Sequence, residues 1–193
     1  MSRRPSSTGD APLFAWGEMQ PTAKVLRSQL IRRMAITSAG IAAVLVSAAL
    51  PPGPRLVWNA SASAPIGLYA VTPNAWAEPG DTVVVWPPAR YRRLAADRRY
   101  VPINVPLVKQ VAAWGGDKVC ARGREIIVNA RKAAMRRGVD GNGRPLPGWS
   151  GCIRLRGRQL FLLNDDPASF DGRYFGVSEG KDVIGKARIL WHP

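Results

Sequence analysis

Apolar residues are spread along this chain in two different ways. Between Met34 and Leu50 they run for 17 residues without a charge. That length lies near the lower limit for a helix that spans a bilayer, and the alanine content keeps it only modestly apolar. Past Pro54 the pattern changes to short apolar stretches closed by Pro, Gly, Asn or Asp. Such stretches at 66–71, 81–86, 105–113, 118–121, 125–129, 152–155, 159–164 and 183–191 predict strands. The turn-forming groups Pro51-Pro52, Pro79-Gly80, Pro87-Pro88, Gly115-Gly116 and Asp140-Gly141-Asn142-Gly143 punctuate them. Residues 89–99 carry a helical pattern, short and strongly basic, and the basic, turn-rich segment 130–151 predicts an inserted surface hairpin or loop. The expectation is a mainly β, antiparallel domain over 54–193, preceded by one transmembrane helix over 29–53 and a flexible tail over 1–28.

The charges around the apolar run orient it. Arg32 and Arg33 lie just before it, with Arg27 and Lys24 behind. Cations on that side keep it in the cytoplasm, so the C-terminal body is expected outside the inner membrane, in the periplasm of a Gram-negative cell. The competing reading is a cleaved signal peptide ending at Ser47-Ala48-Ala49. The chain carries a net +15, of which residues 34–193 hold 22 cations against 11 acids. A body this basic suits anionic lipid, nucleic acid or acidic partners, and an anchor favours the lipid bilayer. The cations are scattered with no recognition motif, so no nucleic acid is expected. Cys120 and Cys152 fit one disulfide in an oxidising compartment, or two separate thiols. Two cysteines and one histidine make no zinc set, and GxGxxG, P-loop, HExxH and CxxC patterns are absent. No metal and no cofactor are therefore expected.

Candidate chemistry begins at Ser63, in Asn59-Ala60-Ser61-Ala62-Ser63-Ala64-Pro65. Most serines in such company simply make turns. This one follows the anchor by about a dozen residues and precedes a strand. Ser61, two positions back, points the same way in an extended chain, and its hydroxyl could join the Ser63 amide in stabilising an oxyanion. The single histidine, His192, stands next to the last residue and is a poor partner, so a lysine-activated serine is the alternative. Lys109 lies in the apolar run 105–114 with no acid within seven residues. Burial there would strip its charge and fit it as a general base. A solvent-facing place on an edge strand is equally compatible with the spacing. A third cluster, 164–176, holds Asp165-Asp166, Ser169 and the Asp171–Arg173 pair. The paired aspartates could bind a cation, form an acid-protease dyad, or merely make a solvated turn. Ser169 could hold a neutral lysine, and Asp171 with Arg173 could pin the loop.

These clusters, in this order, resemble the type I signal peptidases, membrane-bound Ser/Lys endopeptidases, and most of all their conjugative-transfer, TraF-like branch that matures pilin subunits. SASAPIGLY resembles the nucleophile box, GDTVVVW the next strand, and LVKQVAAWGGDKV the lysine box. NDDPASFDGRYFG resembles the last box, and residues 184–187 the closing strand. The resemblance implies Ser63 as nucleophile, Lys109 as base, Ser61 as oxyanion donor and Ser169 as the group orienting the lysine, with Asp171 and Arg173 as structural support. It implies as substrate an exported pre-protein or pilin precursor bound in extended form. Two departures matter. Only Ala64 separates Ser63 from Pro65, which leaves Ser61 as a minor alternative nucleophile. Gly172 stands where the family pattern has serine, which implies a looser loop. A non-catalytic assembly module of a conjugation or secretion machine would keep the β body without needing Ser63 or Lys109.

Overall fold

The computed structural model describes residues 23–49 and 53–193. Most of the expected tail lies outside them, as do Leu50, Pro51 and Pro52. The chain divides into two units at Pro51.

The first unit contains one helix, α1 (Ala23–Ala49). It starts six residues earlier than the expected anchor, so the end of the expected tail is helical. Leu26–Ser47 forms a 22-residue span with mean hydropathy 1.5, long and apolar enough to cross a membrane. Leu30, Ile36, Ile41 and Val44 are exposed. Thr37, in mid-helix, turns its hydroxyl back onto the carbonyls of Arg33 and Met34, both at 3.0 Å, so its polar group is satisfied within the helix.

The second unit is built from antiparallel sheets. Among its residues, one sheet has six strands in the order β1 (Leu56–Asn59), β2 (Gly67–Pro73), β10 (Val183–Trp191), β3 (Thr82–Val85), β4 (Leu107–Ala113) and β9 (Phe161–Leu163). The other has four, in the order β7 (Arg131–Met135), β6 (Glu125–Val128), β5 (Lys118–Arg122) and β8 (Gly151–Arg154). All eight expected strands form. β1 and β7 are additions, and β7 accounts for the first part of the expected surface hairpin. Helix α2 (Ala89–Asp97) forms where expected, and a single turn, α3 (Gly172–Phe175), was not foreseen.

Branched side chains explain the core. Val83, Val84 and Val85 are all fully buried, which requires both faces of β3 to be covered. One side packs with Val111, Leu160 and Leu162; the other with Tyr69, Val71, Val108 and Ala187. A third cluster joins the sheets, with Val119, Ala121 and Ile126 against Ala113, Phe161 and Leu163. Cys120 and Cys152 face each other across β5 and β8 and are disulfide-bonded, which decides between the two readings of the cysteine pair.

Two consequences position the site. β4 is an interior strand between β3 and β9, so Lys109 is not on an edge. The loop 60–66 closes the β1–β2 hairpin at the opposite end of the sheet. Two strands, β10 and β3, lie between β2 and β4, a separation of about 14 Å at ordinary strand spacing. The fold nevertheless brings Ser63 of that loop against Lys109 of β4.

Candidate active site

Asn59, the last residue of β1, shapes the loop that carries both serines. Its side chain is buried, and its amide nitrogen donates to the carbonyls of Ser61, Ala64 and Pro65 at 2.9, 3.1 and 3.0 Å. Its Oδ1 accepts from the Ser61 amide at 3.1 Å. The Tyr69 hydroxyl adds a 2.8 Å bond to the Pro65 carbonyl. A short run of small residues has little packing of its own, so these bonds give it one conformation. In that conformation the hydroxyls of Ser61 and Ser63 lie 3.0 Å apart, and the Ser63 amide faces Ser61 Oγ at 3.4 Å.

Lys109 meets this loop from β4. Its side chain is 2% exposed. Its amine donates to Ser169 Oγ at 2.7 Å and to Ser63 Oγ at 3.3 Å. Burial pulls its pKa down to about 8; Asp171 and Asp166 pull it up against that, and the Arg173 guanidinium pushes it further down. The cover over the amine is the physical reason: the loop carrying Ser63 and the turn carrying Ser169 close over it and take the place of the water that would hold the ammonium.

The segment after β9 supplies the remaining groups. Asp171 is fully buried and Arg173 almost so, with Arg173 Nε 3.4 Å from Asp171 Oδ1. Asp171 also accepts from the backbone amides of Arg173 and Asn164, each at 3.1 Å. Arg173 donates to the carbonyl of Asp166 at 2.8 Å and to that of Asn164. Burial raises the Asp171 carboxyl, while Arg173 and Lys109 oppose the rise. The pair thus pins the turn that presents Ser169. Gly172 does not loosen this turn. A Cβ there would lie 2.7 Å from the Leu162 carbonyl and 2.9 Å from the Phe161 ring, and the Gly172 carbonyl accepts from the Trp149 indole at 2.9 Å. The glycine is what lets the turn seat against β9.

Ser61, Ser63, Lys109, Ser169, Asp171 and Arg173 thus come from three separate parts of the chain into one hydrogen-bonded group. Asp165 and Asp166 are not an acid dyad. Asp166 caps the amide of Ala168 at 2.7 Å, the turn reading of that pair. Two asparagines were missed. Asn59 is an Asx residue closing a strand too short to be read from pattern, and Asn164 was read only as the start of its cluster. Hollows of about 330 and 380 Å³ flank the serine. Tyr100, Leu107, Val139, Leu146 and Phe170 line the first; Pro65, Thr82, Gln110 and Asp165 line the second; and Ser63 borders both. An extended chain could pass from one to the other across its hydroxyl.

Comparison with known proteins gives the family. Residues 27–192 match the family described as signal peptidase, peptidase S26. A plasmid transfer protein TraF of Escherichia coli is 33% identical over 181 residues, 85% of this chain and 99% of that protein. Another from the same species is 30% identical over 180 residues, 86% of this chain and 99% of that protein. A conjugal transfer protein TraF of Agrobacterium tumefaciens (strain 15955) is 31% identical over 164 residues, covering 77% and 89%. A crystal structure of a signal peptidase I from Enterococcus faecalis V583 aligns at 18% identity and a TM-score of 0.34, over 61% of this chain and 98% of that one; so loose a superposition adds nothing further. With the family pattern spanning nearly the whole chain and relatives matched over almost their full length, this protein belongs to the signal peptidase family, peptidase S26, in its TraF-like branch.

Proposed function

We propose that this chain is a membrane-anchored serine endopeptidase with a Ser63–Lys109 dyad that removes leader or terminal peptides from exported proteins, a conjugative pilin precursor foremost. The observation that carries this reading is the buried Lys109 amine, within bonding distance of Ser63 and held from the other side by Ser169. At a pKa of about 8, roughly a quarter of the amines are neutral near pH 7.5, against about one in a thousand for an ordinary lysine. That is the poise a general base needs.

The neutral amine takes the Ser63 proton as Oγ attacks the scissile carbonyl carbon. The Ser63 amide and the Ser61 hydroxyl hold the resulting oxyanion. Collapse breaks the peptide bond, and the lysine ammonium returns its proton to the departing nitrogen. Water, or an amine of the substrate itself, then resolves the acyl-enzyme, with Lys109 again as base. In this reading α1 anchors the chain in the bilayer, with its basic N-terminal side in the cytoplasm and residues 54–193 in the periplasm.

The test is incubation of the purified chain with pilin precursors encoded in its genetic neighbourhood, followed by intact mass measurement. Loss of a terminal peptide that disappears in folded Ser63→Ala and Lys109→Ala variants supports the peptidase. Full function of both variants in conjugation rejects it in favour of a non-catalytic assembly part.

A further inference from the structure

Asn164 follows the last residue of β9, where the main chain leaves the sheet. β9 pairs with β4 through Leu163 opposite Gln110 and Leu162 opposite Val111. One residue further, the ladder is continued by a side chain. Asn164 Oδ1 accepts from the Gln110 amide at 3.0 Å, and Nδ2 donates to the Val108 carbonyl at 3.2 Å. These are the backbone groups on either side of Lys109. The same Nδ2 lies 3.5 Å from Ser63 Oγ. The backbone of Asn164 is held at the same time by Asp171, through its amide, and by Arg173, through its carbonyl. The side chain is buried, so none of these bonds is traded with bulk water.

We infer that Asn164 is a positioning residue for the dyad: its one amide fastens β4 on both sides of Lys109 and steers the Ser63 oxygen, and through its backbone the Asp171–Arg173 pair acts on the lysine. The inference rests on the Ser63–Lys109 reading of the reaction. It also explains why the main chain can turn away from β4 straight after Leu163. The amide replaces the missing rung, and the released segment is free to bring Ser169 to the amine from the far side. Of the charged groups, Asp171, Asp166 and Arg173 act on that amine. Loosening β4 would admit water to it and restore an ordinary lysine.

The test uses the full chain in detergent micelles with its lysines labelled at 13Cε, and p-nitrophenyl acetate as acyl donor. The acetyl group passes to Ser63 Oγ, p-nitrophenolate leaves, and Lys109 takes the serine proton. Asn164→Ala removes the whole clamp. Asn164→Asp keeps an acceptor for the Gln110 amide and loses both donors. In both variants the Lys109 titration midpoint is expected to rise by about one unit, and Ser63 acetylation to slow about tenfold to a hundredfold. A midpoint and an acetylation rate matching the parent in the folded variants overturn the inference. So does failure of both variants to fold, which would make Asn164 a stability residue only. Ser63→Ala separates the two ideas: if it releases p-nitrophenolate as fast as the parent, the dyad reading falls, while the Lys109 titration still judges Asn164.

Discussion

Three charges act on the Lys109 amine, and none of them sets its state alone. Asp171 and Asp166 favour the ammonium and Arg173 disfavours it, while burial outweighs them and leaves the amine with a pKa of about 8. On the proposed dyad reading the proton must be absent for Ser63 to be activated. Cleavage of a fixed substrate is therefore expected to rise with pH through about 8 and to fall away on the acidic side. A profile already level at pH 5 would contradict a lysine base. At the same scale, Gly172→Ser restores the residue of the wider family pattern and should nonetheless harm this chain. Its side chain meets the Leu162 carbonyl and the Phe161 ring, and overpacking of that kind costs about 1–3 kcal/mol in a denaturant titration. The sequence showed that a glycine had replaced serine, but not that β9 had closed over the vacated space.

At the scale of elements, β4 ties stability to chemistry. A lysine whose folded pKa lies below its unfolded value is bound to fewer protons in the native state. Folding stability attributable to Lys109 therefore increases as pH rises from about 8 toward the ordinary value of 10.5, and below about 8 the full cost is present. Lys109→Met should stabilise the fold at neutral pH by on the order of 3 kcal/mol or less. The gain should shrink between about pH 8 and 10, read by denaturant midpoints. An unchanged or lowered midpoint at pH 7 would mean that the amine is better solvated than its burial indicates. Strand legibility follows from the same elements. β4 and β10 were readable because branched residues run along them between clear turn signals. β7, Arg131–Met135, was not, because an exposed edge strand of basic and small residues carries no apolar period. Strand order was also beyond reach. The lysine run was visible, but its interior place depends on β9, which arrives about fifty residues later.

Across the whole molecule, the apolar span and the β body answer to different solvents. Leu26–Ser47 is long and apolar enough to cross a membrane, and a disulfide such as that between Cys120 and Cys152 is characteristic of an oxidising compartment. The proposed orientation puts the body in the periplasm. A reporter enzyme that works only in the periplasm, fused after Pro193, should be active in a Gram-negative host. Activity confined to a cytoplasmic reporter would invert the proposed orientation. The six candidate residues were named from contiguous boxes, and the folded chain brings those boxes together. Asn59 was not legible, because it closes a four-residue strand too short to show a pattern, and Asn164 was not, because Gln110 and Val108 lie far away in sequence and only the folded chain brings them near.

Ser63 meets Lys109 across 46 positions and Asn164 across 101, and Lys109 meets Ser169 across 60. During biosynthesis the serine emerges long before the groups that would arm it. On the proposed Ser63–Lys109 reading, a nascent chain still threading through the translocation channel is thus a protease without a trigger. On that reading it cannot cut the secretory traffic beside it until its own last third has been delivered.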